Sequence, residues 1–381
     1  MKRNRRGVAL LITLGMVVLI AVMAMSFHDQ MAMRLAEAKM GALDAEAQAL
    51  ARSGAALGKL LLKLDSRQYQ WFHQDENGGV TADDSDSEAK ASNEVLDRVY
   101  KMLAATRHDG LPMENGSLAI DLVDENAKIN LNKATEIHLV SLFQAVGLKR
   151  SKRLELLGET VEEDISREAA ASVLTWRGWR RPGGADDTYY QNLKPPYAMR
   201  NGPYEMPEEL MLVKDISPLN FFGTPEEAQA PNPEAASAGD EKKNKATDID
   251  PSPGPNGEKK ERKKVQGIGP LLTVWGDGRI NANNASRAVL KVTPGVMDSP
   301  ERERIVTELI KHRPFRSPGE LTALLSIAGP QLGAAAGAAM KVTTDVVRVR
   351  AVGIRGVRRR TVEVVFVRKN KDVRTVFYRE D

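Results

Sequence analysis

The N-terminus constrains the fold more than any other part of the sequence. Residues 2 to 6 are Lys or Arg at every position except Asn4, and an almost unbroken apolar run extends from Val8 to Phe27. About 20 apolar residues at 1.5 Å rise match a hydrocarbon core of roughly 30 Å. Because basic residues next to a span stay in the cytoplasm, the sequence predicts one membrane helix with the remaining chain translocated.

The alternative interpretation is a cleaved secretory signal, for which Ala24-Met25-Ser26 would serve as the small-x-small site. The sequence beyond the span favours an uncleaved helix. No proline occurs between Phe27 and Leu64, and good helix formers dominate this stretch. Leucines fall on one face of it, at positions 43, 50, 57, 61 and 64. We therefore predict one helix from Val8 to Leu64, about 85 Å long, whose second half packs against a head domain or a neighbouring helix.

Composition narrows the chemistry. The 381-residue chain contains no cysteine, which excludes disulfides, thiolate nucleophiles and cysteine metal sites. A formal net charge of +4 is too small an excess to indicate a dedicated nucleic-acid binder. The sequence also lacks the phosphate-loop, His-Glu-x-x-His and Gly-x-Ser-x-Gly motifs. We therefore expect a protein that is not an enzyme.

The junction between the basic stretch and the apolar run resembles the prepilin peptidase site of type IV pilins and pseudopilins, since Arg-Arg-Gly is followed by Val-Ala-Leu-Leu-Ile-Thr-Leu. The resemblance implies cleavage after Gly7 and N-methylation of Val8. The fifth residue of the mature chain would then be Ile12, where this family usually has glutamate. A carboxylate in lipid is costly unless it is paired, and a subunit that starts a fibre has no preceding amine to pair with. Lack of this glutamate is typical of the large K-type minor pseudopilins of type II secretion systems.

Two motifs occur twice in the same order. Lys128 to Thr135 and Arg279 to Ser286 both read basic-Ile-Asn-x-Asn-x-Ala-hydroxyl, and the asparagines suit helix N-caps. Pro203 to Leu210 and Pro314 to Leu321 both read Pro-aromatic-x-x-Pro-x-Glu-Leu. The pairing predicts a duplicated helical module, whose first copy is longer by an extra segment at about 176–200.

These features predict an α+β protein in which a long N-terminal helix and an antiparallel sheet form a pilin-like head. The inserted duplicated helical modules would be SAM-like or helix-hairpin-helix-like. Alternating valines after Val342 predict the C-terminal strands, and a polar Pro/Glu/Lys-rich stretch predicts a disordered linker. The predicted divisions are a leader at 1–7, the membrane and packing helix at 8–65, the first part of the head at 66–128, the first module at 129–223, the linker at 224–264, a head strand at 265–279, the second module at 280–330 and antiparallel strands at 341–381.

This plan, with its two Ile-Asn-x-Asn motifs, again resembles a K-type minor pseudopilin over nearly the whole chain. The resemblance implies a tip or initiating subunit of the type II secretion pseudopilus, needed for protein export across the outer membrane. It also implies a single-pass inner-membrane protein with a cytoplasmic N-terminus and a periplasmic head. The implied partners are other minor pseudopilins, the major pseudopilin and the secreted substrate protein, and no nucleic acid.

A calcium site is also implied by the resemblance. The segment around Asp186 and Asp187 looks like the part of this family that binds calcium, an ion that takes six to eight oxygen ligands. Upstream, where further carboxylates would favour the ion, the sequence has Arg177, Arg180 and Arg181. The alternative is a loop of paired Asp and Arg side chains without metal.

The modules suggest a function of another class as well. Each has a glycine-hydrophobic pair after its first helix, Gly147-Leu148 and Gly295-Val296, as in helix-hairpin-helix DNA binders. Those proteins use a second glycine to bring backbone N–H groups onto a phosphate. Here Lys149 and Met297 occupy that position. A DNA-uptake or type IV pilus-like minor pilin is therefore the alternative function.

Overall fold

The computed structural model describes residues 5–64, 98–99, 102–103, 110–114, 116–153, 160–223, 267–326, 329–369 and 372–381. Residues 1–4 of the predicted leader, most of residues 66–109 in the predicted first part of the head and the predicted linker at 224–264 lie outside these residues. The chain divides into two compact units, Met1–Asp124 with Thr344–Asp381, and Glu125–Thr343.

The first unit combines one long helix with one antiparallel sheet. Helix α1 extends over Arg5–Leu64 without interruption. In the described residues the sheet contains the strands β1 (Leu111–Met113), β2 (Gly116–Asp124), β9 (Val346–Arg355), β10 (Arg358–Lys369) and β11 (Asp372–Glu380). Their order in the sheet is β1-β2-β9-β10-β11, and every neighbouring pair is antiparallel. The long helix and antiparallel sheet predicted from the sequence are thus confirmed.

Small residues form the face of α1 that meets the sheet. Ala47, Ala51 and Ala55 are buried on it, and a Cβ atom added to Gly54 would lie only 2.8 Å from the Cβ atom of Ala351. The helix backbone can therefore approach the sheet closely. The core between them consists of alternate strand residues with the C-terminal turns of α1, namely Leu61, Leu62, Leu118, Ile120, Val347, Val349, Ala351, Val362, Val364, Phe366 and Val373.

The second unit is mainly helical and has its own continuous core. Its helices are Glu136–Ala145, Ser166–Trp176, Asp187–Gln191, Pro218–Phe222, Arg287–Lys291, Arg302–Lys311, Pro318–Leu325 and Pro330–Ala339, with short 3-10 turns at Glu125–Ala127, Pro207–Leu212 and Gly269–Leu271. The strands are short, namely β3 (Ile129–Asn130), β4 (Lys149–Arg153), β5 (Thr160–Asp164), β6 (Leu272–Thr273), β7 (Ile280–Asn281) and β8 (Met340–Lys341). They pair as β3 with β6 and β7 with β8, both parallel, and as β4 with β5, antiparallel.

One predicted division is wrong. The sequence predicts a head-sheet strand within 265–279, but in the described part of this stretch, 267–279, the strand is β6, which pairs with β3 inside the second unit. Leu272 is fully buried there, so its apolar side chain serves the helical core. The unit boundaries also differ slightly from the sequence divisions: the second unit begins at Glu125 and the first resumes at Thr344.

Candidate functional site

Helix α1 is the candidate assembly element. It is the one helix in the described part of the chain that is long and apolar enough to cross a membrane. Gly7, Val8 and Ile12 lie in its first turns. Met33 and Leu35, which follow the predicted span, remain 63% and 72% exposed, so an apolar surface continues along α1 towards the sheet.

Three arginines tie the second half of α1 to the sheet strands. Arg360 Nε donates to Asp44 Oδ1 at 2.8 Å, and Arg355 Nε donates to Glu46 Oε2 at 2.6 Å. Arg52 donates to both oxygens of Glu380, at 2.7 and 2.9 Å. The hydrogen bond from Arg52, followed by that from the Tyr378 hydroxyl, lowers the pKa of Glu380 to about 2.

The paired Asn motifs have the same hydrogen-bond geometry. Asn132 Oδ1 accepts from Tyr204 N at 2.8 Å, while its Nδ2 donates to the carbonyls of Tyr204 and Val274. Asn283 Oδ1 accepts from Phe315 N at 2.7 Å, while its Nδ2 donates to the carbonyls of Phe315 and Val342. Each amide therefore links the first motif of its segment to the Pro-aromatic motif.

The first asparagine of each motif orders the turn itself. Asn130 Oδ1 accepts from Asn132 N, and Asn281 Oδ1 accepts from Asn283 N. The expectation that these asparagines are helix N-caps is wrong. The N-cap residues are Thr135 and Ser286, because the helices begin one residue later, at Glu136 and Arg287.

An arginine completes each motif, buried in the case of Arg177 and half-buried in the case of Arg313. Arg177 donates to the carbonyls of Leu131 and Ala134, and Arg313 donates to those of Ala282 and Ala285. Sequence reasoning missed both roles and assigned Arg177 to the calcium segment instead. The sequence signal was indirect, because Arg177 lies 46 residues after Leu131 whereas Arg313 lies 31 residues after the equivalent Ala282. The two arginines therefore do not align when the motifs are matched.

Asp186 and Asp187 hold their own loop together. Asp186 is the N-cap of Asp187–Gln191 and accepts from Tyr189 N at 3.2 Å. Asp187 Oδ1 accepts from Met199 N at 3.2 Å, and its Oδ2 accepts from the side-chain amide of Asn201 at 3.4 Å. Behind them, Tyr190 packs edge-on against Trp176 with ring centroids 5.0 Å apart.

These residues do not fit a calcium site. Among the described residues, no cluster of three or more His, Cys, Asp and Glu could hold a metal ion. The carboxylates of Asp186 and Asp187 accept hydrogen bonds from N–H groups, whose positive ends would repel a cation. Calcium also needs six to eight oxygen ligands. The arginines do not pair with these aspartates either. Arg177 binds the carbonyls described above, and Arg181 lies 3.5 Å from Glu136.

The two glycine turns have few free backbone N–H groups with which to bind a phosphate. Gly147 has φ +71° and Gly295 has φ +79°, as sharp turns require. However, Gly147 N donates to Gln144 O and Leu148 N to Phe143 O. In the second turn, Gly295 N donates to Asp298 and Val296 N to Thr293 O. The backbone donors that a helix-hairpin-helix module would turn towards DNA are thus used within the protein.

One comparison with known proteins agrees with the motif resemblance. Residues 121–221 match the family model of type II secretion system (T2SS), protein K. This match confirms the resemblance to K-type minor pseudopilins. A similar solved structure is that of the GspK-GspI-GspJ complex from the type 2 secretion system of enterotoxigenic Escherichia coli, with 13% identity, 77% of this chain and 99% of that chain covered, and a TM-score of 0.47. A search among curated proteins finds no similar sequence.

Proposed function

We propose that this chain, whose residues 121–221 match type II secretion protein K, is a non-enzymatic minor pseudopilin at the tip of a type II secretion pseudopilus. One observation carries the proposal. Strands β2 and β9 are antiparallel neighbours in the sheet, yet the whole unit Glu125–Thr343 lies between them in sequence. The family match begins in β2 and continues into that unit, so it covers the junction between a pilin-like sheet and its insertion.

The proposed location is the inner membrane, crossed once by α1, with the N-terminus in the cytoplasm and the head in the periplasm. The basic residues before the apolar run support this orientation. Prepilin peptidase would cleave between Gly7 and Val8, and Val8 would then be methylated. The protein would be needed for export of secreted proteins across the outer membrane.

We further propose that the inserted unit arose from two copies of one helical module. The equivalent roles of Asn132 and Asn283, and of Arg177 and Arg313, support this interpretation. A bulky insertion would prevent another subunit from adding above this one, which suits a tip position. Ile12 suits it as well, because a first subunit has no preceding amine with which to pair a glutamate.

The proposed partners are other minor pseudopilins and the major pseudopilin, contacted along α1. The exposed side chains of Met33 and Leu35 support this, because water is a poor environment for them and a neighbouring helix would bury them. Secreted substrate would be a further partner at the tip.

Mass spectrometry of the membrane-extracted protein tests the proposal. The mature chain should start at Val8 and carry an N-methyl group. Gly7→Leu should leave the leader attached and stop secretion, whereas the same change at Gly15 should leave processing intact. A soluble periplasmic protein that starts near Phe27 would contradict the proposal.

A further inference from the structure

An exposed tryptophan is fixed in place directly after the Ser166–Trp176 helix. The side chain of Trp179 is 55% exposed, an unusual state for so large an aromatic group. Its backbone N–H donates to Leu174 O at 2.9 Å, and Gly178 makes the required turn with φ +93°. The backbone position of Trp179 is therefore set by the end of the helix.

One face of the Trp179 ring is in contact with Arg177. The guanidinium carbon of Arg177 lies 4.4 Å from the ring centroid, within the range of a cation–π contact. Arg177 is itself 7% exposed and held by the carbonyl of Ala134 at 3.2 Å. The indole is thus pre-organised, with one face against a fixed guanidinium and the rest of the ring open to solvent.

The second segment lacks this arrangement. Arg313 binds the equivalent carbonyls, of Ala282 and Ala285, while remaining partly exposed. Arg313 is followed directly by the second Pro-aromatic motif, in which buried Phe315 corresponds to Tyr204 of the first segment, so the second segment has no counterpart of Trp179. The carbonyl contacts therefore form without an exposed aromatic side chain nearby, and the exposure of Trp179 needs a different explanation.

The surroundings of Trp179 define the chemistry of a ligand. Arg180 is exposed and forms no ion pair with any residue that the structure describes. Arg181 lies 3.5 Å from Glu136. These residues thus offer an aromatic ring and one exposed guanidinium, which pairs with no described residue, beside an Arg–Glu pair. We refer to Trp179, Arg180, Arg181 and Glu136 as the Trp179 patch.

We propose that the Trp179 patch docks a segment of another protein that presents a carboxylate next to an apolar side chain. Tryptophan and arginine are the residues that contribute most often to protein interfaces, and a guanidinium fits a carboxylate bidentately. The Glu136 carboxylate would repel the repeated negative charges of a nucleic acid or an anionic bilayer. A protein segment with a single carboxylate, bound at Arg180, would not be subject to this repeated repulsion. This proposal does not depend on the tip position argued above.

The test uses the full-length protein in detergent micelles, labelled with 5-fluorotryptophan. Its four tryptophans give separate fluorine signals, and Trp179→Phe identifies the one from the patch. The probes are a short peptide that alternates Glu with Leu and Phe, and the same peptide with Gln in place of Glu. We expect the Glu peptide to shift the Trp179 signal saturably, and the Gln peptide to need about tenfold more for the same shift.

Charge reversal supplies the matched pair of variants. Arg180→Glu should weaken binding of the Glu peptide by about tenfold or more. Arg167→Glu, at an exposed site in the first turn of the preceding helix, should leave it unchanged. Circular dichroism of both variants checks that they remain folded.

Several results would overturn the proposal. The first is that the Glu and Gln peptides bind equally well. The second is that Arg180→Glu and Arg167→Glu have the same effect, so that both lose binding or both keep it. The third is that no peptide shifts the Trp179 signal saturably. A tighter response of Trp179 to an oligothymidylate or to phosphatidylglycerol vesicles would assign the patch to nucleic acid or membrane instead.

Discussion

At the scale of single residues, two amides, the half-buried Asn132 and the buried Asn283, hold the helical unit together. Asn283 is 2% exposed and satisfies one backbone N–H and two carbonyls that lie far from it in sequence. Its Nδ2 donates to both carbonyls at 3.0 Å. A leucine of similar size would fill the space and leave these groups without partners.

We therefore expect Asn283→Leu to destabilise the protein by several kcal/mol, because each buried polar group left unsatisfied costs about 1–3 kcal/mol. Asn192→Leu, at an exposed helix end, should change stability by no more than about 0.5 kcal/mol. Chemical unfolding followed by circular dichroism measures both. Equal effects of the two changes would mean that the amide contacts contribute little.

The ion pairs of α1 predict a pH dependence. The pKa of Glu380 is lowered to about 2 by Arg52 and then by Tyr378, and the pKa of Asp44 is lowered by its hydrogen bond from Arg360. An unfolded Glu has a pKa of about 4.3. Since the folded pKa lies below that value, the stabilisation is complete above about pH 4.3 and is lost as the pH falls towards 2.

Glu380→Gln should accordingly lower the thermal unfolding midpoint at pH 6 and have little effect near pH 2. The difference should also shrink at high salt, because the pair is accessible to solvent. A wild-type and variant difference that is the same at both pH values would contradict the assigned role of this carboxylate.

The sequence revealed which residues repeat but not what they bind. Ile-Asn-x-Asn is readable as a pattern, and asparagine before a helix usually indicates an N-cap. In the structure the carbonyls of Val274 and Val342 come within reach through the parallel pairs β3–β6 and β7–β8. Those pairs are two residues long and leave no periodic signal, so the partners of the asparagines were not predictable.

At the scale of elements, the close contact between α1 and the sheet depends on glycine and alanine. A Cβ atom at Gly54 would lie 2.7 Å from Leu118 Cδ1 and 2.8 Å from Ala351 Cβ, which is too close for either to stay in place. The same addition at Gly41 meets nothing within 4 Å. Packing of α1 against the sheet therefore requires glycine at position 54 but not at position 41.

Gly54→Ala should lower the free energy of unfolding by about 1–3 kcal/mol, as expected for overpacking. Gly41→Ala should raise it by as much as about 1 kcal/mol, because alanine favours a helix. Both values come from denaturant unfolding of the full chain in detergent. A stabilising effect at Gly54 would show that α1 can move away from the sheet at no cost.

Element prediction succeeded where burial imposes a pattern. The apolar run and the proline-free stretch gave α1, and alternating valines gave β9, β10 and β11. The β4–β5 hairpin was missed because its strands, Lys149–Arg153 and Thr160–Asp164, are mostly charged and show no apolar alternation. The predicted strand at 265–279 failed because an apolar pair such as Leu271-Leu272 does not reveal which core buries it.

At the scale of the whole molecule, the structure predicts independence from calcium. The loop of Asp186 and Asp187 is closed by hydrogen bonds from Tyr189, Met199 and Asn201. We expect the thermal unfolding midpoint to stay within about 1 °C on addition of EDTA or of millimolar calcium, because a ligand stabilises only when it binds the folded state. Asp187→Ala should lower the midpoint with or without calcium. A calcium-dependent rise in the wild type would restore the site implied by the family resemblance.

The position in the fibre is tested most directly at Ile12, since it depends on the electrostatics of the membrane helix. If this subunit is the first, a glutamate here has no amine above it, and insertion scales put a central acidic residue at a cost of about 2.5–3.5 kcal/mol. Ile12→Glu should therefore leave secretion unchanged or impaired, with the subunit still at the tip, whereas Ile12→Leu should behave as the wild type. Secretion assays combined with crosslinking between subunits measure both properties. The tip assignment would be contradicted if the Glu variant were incorporated along the shaft, or if many copies of the wild type were already found there. The protein would then be an ordinary structural subunit with an unusual fifth residue.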